Sequence, residues 1–421
     1  MKKNIKKILI LIFLYLFSLF NNIVAQNIAD PLINKLIEKG VIESYEAQEV
    51  RNEISKVEKK KIDEEKAKEE EQKKQDKYKL KTSGYLQLVY TLDESTSATA
   101  HPGKYRDPLY IRRARISFRQ QINDWVGFNI TPEFARSGDP LETEDISVVR
   151  TTSPHTTATV TRVRRVPVIE FKGAYVDLTF NDFLNFRIGQ FNQPFGFENV
   201  FSSSKKIFPI DTLQFMRNVL PSDYDFGIQY SLNYKKMLSL QVAALNGTTH
   251  QRETNNRKDI STKISFEPRM FFEFLKGFEL SFSYYDRYYG EIVTTTVTPK
   301  NGQHYNVYLK LEREVLFPVF LTAEYVWGKN YTLTNDVKSL ICTLEIKPLE
   351  KTFLKGLAPA FRYESWDPNI NKSDDEVEIY TAGINYYPNK NVRFLVDYRI
   401  SNEKPKDLTN NKLNIMAQVS F

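Results

Sequence analysis

The stretch Ile111-Arg-Arg-Ala-Arg-Ile-Ser-Phe-Arg119 places Arg113, Arg115 and Arg119 at alternate positions of a β-prone segment. Successive side chains of a strand point to opposite faces, so these three guanidiniums share one face and Arg112 takes the other, near the strand entrance. A guanidinium is planar, always charged and carries a rigid fork of donors, so such a row can bind phosphate-like oxyanions. It can equally pair with acids on a neighbouring strand, Glu133 foremost. Arg187 precedes a second basic group, Lys205, Lys206 and Arg217, in the segment 195–225, where Glu198, Asp211, Asp223 and Asp225 offset it. Catalytic chemistry is not offered. His101, His155, His250 and His304 fall in loops or at a strand edge, without a Ser/His/Asp grouping or metal-ligand spacing. Asp223-Tyr-Asp225 reads as a loop-to-strand corner. No cofactor, metal or nucleic-acid partner is expected.

Strands must position those side chains. From Gly84 onward the apolar pattern has period two and yields about sixteen strands, an even number as bacterial single-chain barrels require. Among them are 84–92, 110–122, 125–135, 168–180, 184–194, 277–289, 303–314 and 411–421. Tight turns at Asn123-Asp124, Asn181-Asp182, Lys235-Lys236 and Asn389-Lys390 alternate with long connections at 136–167, 195–225 and 247–258. That asymmetry belongs to a meander closed on itself across a membrane. Phe226, Ile228, Tyr230, Leu232 and Tyr234 would face lipid in one strand, and Val319, Leu321, Ala323, Tyr325 and Trp327 in another. The lumen then receives a near balance of bases, Lys235 among them, and acids. The segment 195–225 carries Phe195, Phe197, Phe201, Phe208 and Phe215, too many rings for a loop in solvent, so it is placed inside the barrel as a constriction.

The two ends of the chain carry further signals. Lys2, Lys3, Lys6 and Lys7, the apolar run from Ile8, and Ile23-Val24-Ala25 form the pattern of an export signal over 1–25. Removing it lowers the 59 basic residues by four to 55, against 52 acidic ones, a net charge of +3. Residues 26–78 read as a helical arm: Leu32, Ile33, Leu36 and Ile37 at helical spacing, a break at Gly40, then a helix that Ser44 can cap. Val50, Ile54 and Val57 suit a coiled-coil seam, and 58–77 is almost purely charged yet neutral, so the arm is either an oligomerising periplasmic helix or a solvated spacer. The barrel occupies 79–421. Its last strand alternates Leu413, Ile415, Ala417, Val419 and Phe421 with Asn414, Met416, Gln418 and Ser420, and pairs with the first strand near Gly84. Its terminal Phe421 is the kind of residue such barrels present to the barrel-assembly machinery. The lone Cys342 excludes a disulfide framework.

Arg187-Ile-Gly-Gln-Phe-Asn-Gln-Pro-Phe-Gly-Phe-Glu198, with Ser202-Ser-Ser204 and Phe215-Met-Arg217, resembles the strand and constriction-loop signature of the phosphate-selective porin O and P family. Gly84-Tyr-Leu-Gln-Leu88, Ile111-Arg-Arg-Ala-Arg115, Gly383-Ile-Asn-Tyr-Tyr-Pro388 and Leu32-Ile-Asn-Lys-Leu-Ile-Glu-Lys-Gly40 extend the likeness. The resemblance implies an all-β, sixteen-stranded antiparallel transmembrane barrel with a short periplasmic helical or coiled-coil arm. It further implies a homotrimer in outer-membrane lipid, with pores lined by arginines that pass phosphate or polyphosphate. Arg112 and Arg113 match the family's paired arginines near the eyelet. The expected function is passive diffusion of small anionic solutes. A general porin without anion preference and a plugged, tethering barrel are the alternatives.

Overall fold

The computed structural model describes residues 33–35, 37–40, 43–93, 109–135, 140–150, 156–165, 169–220, 223–235, 237–247, 257–268, 275–293, 296–314, 318–330, 334–347, 355–404 and 410–421. The export segment 1–25 and His101, His155 and His250 lie outside them. The chain divides into two units, Met1–Lys79 and Leu80–Phe421.

The first unit is dominated by helix α1 (Ser44–Tyr78). Glu43, not Ser44, occupies its N-cap position. The Glu46 carboxylate reaches back to accept the Glu43 N–H at 3.0 Å, satisfying one of the donors that a helix start leaves unpaired. Arg51 donates to Asn34 Oδ1 at 2.7 Å, joining α1 to the short helical turn before it, and Ile33 is buried there. Further along, Lys60 and Glu64 approach to 3.9 Å at the i, i+4 spacing. Among the described residues no helix is long and apolar enough to cross a membrane.

The second unit is built of strands: β1 (Lys81–Asp93), β2 (Leu109–Gln121), β3 (Val126–Glu133), β4 (Pro140–Arg150), β5 (Thr156–Arg165), β6 (Glu170–Asn181), β7 (Leu184–Asn192), β8 (Tyr224–Tyr234) and β9 (Leu238–Leu245). They continue as β10 (Asp259–Phe266), β11 (Phe278–Val293), β12 (Thr296–Glu314), β13 (Pro318–Lys329), β14 (Asp336–Ile346), β15 (Leu357–Asp367), β16 (Val377–Asn389), β17 (Val392–Glu403) and β18 (Lys412–Ser420). All except β4 and β5 form one closed antiparallel barrel of sixteen strands, each beside its neighbour in the chain. Closure is made by β18 on β1, with Gln87 opposite Gln418. The N–H groups of Gly84 and Phe421 each donate to the other's carbonyl at 3.0 Å. A Cβ on Gly84 would stand 2.6 Å from the Phe421 ring and 2.6 Å from the Arg115 carbonyl, so only glycine lets the last aromatic seat there.

The faces of the strands are inverted relative to a soluble protein. On β13, Phe320, Thr322, Glu324 and Val326 are buried inside, while Tyr325 is exposed outside. On β18, Asn414, Met416 and Gln418 point inward, and Ile415 and Val419 are exposed. Outward rings gather into two bands. Trp125 stacks on Phe180 and Phe186 meets Tyr230 at the rim with the short turns; Tyr305 stacks on Trp327 and Tyr363 meets Tyr380 toward the opposite rim. An apolar belt between aromatic girdles is what a strand wall in hydrocarbon requires.

Three expectations are revised. The connection 136–167 contains a separate hairpin, β4 on β5. The strands β11 and β12 stay paired as far as Val293 opposite Thr296, well beyond the expected 289 and 303. Lys235, assigned to the lumen, instead sits in the β8–β9 turn at φ 50° with its ammonium over the Tyr234 ring.

Candidate functional site

The connection from β7 to β8, residues 193–223, folds into the barrel. Phe195, Phe197, Ile207, Phe208, Leu213, Phe215, Val219 and Leu220 are all buried, in two clusters against inward apolar residues such as Tyr285, Val326 and Leu395. Such irregular backbone must still satisfy its polar groups, and the wall supplies the partners. On one side, Gly196 N–H donates to Ser283 Oγ at 3.1 Å, and Glu324 accepts the N–H of Phe197 at 2.8 Å and of Glu198 at 3.2 Å. Gly196, at φ +70°, is required: a Cβ would lie 2.4 Å from Glu324 Oε1. Across the lumen, Glu364 accepts the Gln214 N–H at 2.6 Å.

Arginines hold the loop's carbonyls. Arg393 donates to Lys206 O at 2.7 Å and also to Ile207 O, Arg362 to Phe208 O at 3.4 Å, and Arg112 to Ile210 O at 3.3 Å. Asp211 receives Arg399 at 3.3 Å and Asn414 at 3.0 Å. Burial alone would raise the Asp211 carboxyl, but Arg399, Lys412 and Arg362 together hold it below the usual carboxylate range. These basic side chains thus position the constriction.

Arg112 was expected on the outer face, and the structure corrects this. A β-bulge in β2 puts Gln87 opposite Arg113 but Leu88 opposite Ile111, leaving Arg112 as the extra residue. The parity of the strand shifts there, and Arg112 joins Arg113 inside, donating to Gln87 Oε1 at 3.1 Å.

Between the loop and the wall of β1–β3 and β6–β10 lies a cavity of about 370 Å³. Its lining includes six bases, Arg115, Arg119, Lys172, Arg187, Lys206 and Lys263, and one acid, Asp223. Acidic partners hold the bases in place: Arg115 Nε lies 2.7 Å from Glu133, with Arg113 at 3.6 Å from the same carboxylate. Arg187 grips Asp177 with two nitrogens, at 2.7 and 3.1 Å. Lys172 meets Glu170 at 3.1 Å and Asp223 at 3.7 Å, and Lys206 meets Glu198 at 3.4 Å. Tyrosine rings back four of these cations: Tyr175 lies 3.9 Å from the Arg187 guanidinium, Tyr308 is 4.9 Å from Lys263, Tyr224 is 5.2 Å from Lys172, and Tyr85 is 5.9 Å from Arg115. Arg115 Nη2 is buried without a hydrogen-bond partner among the described residues. Burial would raise Asp223, but Lys172, Arg115 and Arg113 hold its carboxyl below the usual range.

Of the residues singled out from the sequence, Arg115, Arg119, Arg187 and Lys206 come together here. Arg113 stands beside them, whereas Lys205 and Arg217 are exposed elsewhere on the loop. Sequence reasoning missed Lys172. Gly173, at φ +125°, lies in an irregularity where the pairing skips from Phe171 opposite Pro132 to Ala174 opposite Ile130, so alternation read back from Val176 puts Lys172 on the wrong face. His304 is fully buried in β12, with its ring nitrogens 3.2 Å from Tyr285 O and 3.0 Å from Lys329 O. No metal-binding group of acids, histidines or cysteines occurs among the described residues.

The family model for phosphate-selective porin O and P matches residues 98–288 and 321–421. The chain belongs to the phosphate-selective porin O and P family. It is an outer-membrane porin of the bacterial type, a channel in fold and family. Solved structures similar to this porin include an anion-selective porin from Comamonas acidovorans, at 11% identity and TM-score 0.56, covering 82% of this chain and 99% of that one. OmpF of Salmonella typhi in complex with daunomycin matches at 16% identity and TM-score 0.55, over 82% and 99%. The trimer form of OmpT from Vibrio cholerae matches at 10% identity and TM-score 0.51, again over 82% and 99%. At such identities the likeness concerns the fold. No curated protein matches the porin's sequence.

Proposed function

We propose that this porin passes small anions by diffusion, with phosphate or polyphosphate as the cargo its eyelet fits best. The observation that carries the reading is the lining of the constriction: six bases against one acid, with a donor of Arg115 left unpartnered. A low-dielectric cleft lined by one sign of charge concentrates counter-ions of the other sign. Planar guanidiniums suit tetrahedral oxyanions in particular. Arg112, Arg113 and the basic loop residues Lys205 and Arg217 would contribute to the field rather than to direct contact.

A general porin without preference is the competing reading, favoured by the carboxylate partners of Arg115, Lys172, Arg187 and Lys206. Reversal potentials across planar bilayers in a potassium chloride gradient separate the two. Chloride preference together with a drop in chloride current on adding phosphate is expected. Potassium preference, with no effect of phosphate, would overturn the anion reading. The wider assembly belongs to the same proposal: residues 1–25 an export signal, 26–78 a periplasmic arm, Phe421 a contact for the barrel-assembly machinery, and the barrel a homotrimer like the OmpT form.

A further inference from the structure

A groove of about 540 Å³ opens on the outer wall of the barrel, at the long-loop ends of β12, β13 and β14. Its aromatic and lysine side chains face away from the lumen. His304, Val326 and Val337 are buried inside, so the alternate positions Tyr305, Tyr325, Trp327 and Lys338 lie outside. Tyr305 and Trp327 stack at 5.2 Å with planes 14° apart, and Tyr325 adjoins Trp327 at 5.4 Å, forming an aromatic floor. Asn301 and Gln303 line one side. Lys329 lies two residues beyond Trp327, about 7 Å farther toward the long-loop rim, and Lys338 stands opposite Trp327 in register.

The cations here are ion-paired, and Lys338 is the one turned outward from its acid. Lys338 is 45% exposed while its partner Asp367, 3.2 Å away, is 5% exposed, so the acid sits behind the ammonium. Lys329 pairs with Asp336 at 2.7 Å, both half-exposed. Arg257, 44% exposed, donates to Asn301 Oδ1 at 2.8 Å and to Asp286. Ile370 closes the edge, and its N–H donates to Asp336 O at 2.9 Å, pinning the 368–376 connection over the groove.

Aromatic faces with amides suit the pyranose rings of a glycan; outward ammonium groups just beyond an interfacial aromatic band suit phosphate at headgroup depth. A purely apolar acyl chain would use neither. We propose that this groove binds the headgroup of a phosphorylated glycolipid of the outer leaflet, its sugar over Tyr305 and Trp327 and its phosphate at Lys329 and Lys338. The site is separate from the pore.

The test uses the full chain purified in detergent and native mass spectrometry with three probes: a bisphosphorylated acylated glucosamine disaccharide, the same lipid without phosphates, and phosphatidylglycerol. The bisphosphorylated probe is expected to bind at least about fivefold better than either other lipid, as two charge-assisted contacts allow. The double variant Lys329→Gln, Lys338→Gln, and separately Trp327→Leu, should each lower its bound fraction about fivefold. Single-channel conductance should be unchanged in the lysine variant, which also shows that the barrel is folded. Equal binding of phosphatidylglycerol, or full retention by the lysine variant, would overturn the assignment. So would cysteine cross-linking from Gln303 that captures a second copy of the chain across this face in native membranes.

Discussion

Glu133 holds two arginines with one carboxylate, Arg115 at 2.7 Å and Arg113 at 3.6 Å. Neutralising it leaves two guanidiniums at the cavity without this counter-charge, so, on the proposed anion path, Glu133→Gln should raise the chloride-over-potassium permeability ratio about twofold, read from reversal potentials. Lys172→Met works in the opposite direction. It strips the cavity of one base and leaves Asp223 and Glu170 without their shared ammonium, so anion preference should fall by about the same factor. An unchanged ratio in both variants would assign the cations to structural pairing alone. Arg113, Arg115 and Arg187 were legible from period-two alternation. Lys172 and the inward turn of Arg112 were not, because each lies at a β-bulge. One extra residue in a strand reverses the parity beyond it, and nothing in the apolar pattern marks where the partner strand skips.

The constriction loop is an element held by its backbone. Glu324→Ala removes the acceptor for the Phe197 and Glu198 N–H groups, leaving buried donors at a cost of about 1–3 kcal/mol each. The loop should detach on that side, and single-channel recordings should show larger and noisier current; Glu324→Gln, which keeps one acceptor, should lie between. Acid should loosen the opposite anchor. The carboxyls of Asp211 and Asp223 are held below their usual range by neighbouring cations, so their contribution is present at neutral pH and is lost as pH falls through the depressed values, below about 3.9. Loss of the Asp211 and Asp223 contribution is therefore expected to make conductance unsteadier as pH falls below about 4. That 195–225 folds inward was legible in its five phenylalanines. Which arginines would hold it was not, since Arg362, Arg393 and Arg399 look in sequence like any other lumen bases.

At the scale of the whole molecule, the ring depends on the junction of β18 and β1. Gly84→Val would drive a side chain into the Phe421 ring and the Arg115 carbonyl, and should lower the temperature at which the barrel loses its compact gel mobility, by several degrees. The existence of that ring follows from local order alone. Alternation within the strands from Gly84 to Phe421, punctuated by tight and long connections in turn, already requires strands with an apolar outer and a polar inner face, because side-chain direction in a strand is set by the backbone. A helix beginning near Ser44 was likewise readable from helical spacing, although its cap belongs to Glu43 rather than Ser44. What alternation could not decide is which inward charges remain available to a permeant ion. Arg112, Arg362, Arg393 and Arg399 bind the loop, whereas Arg115, Lys172, Arg187 and Lys206 line the cavity beside it, and the difference arises only when distant strands close around residues 193–223. Charge type and strand face are local properties of a chain, but the partner of a charge is a property of the closed barrel.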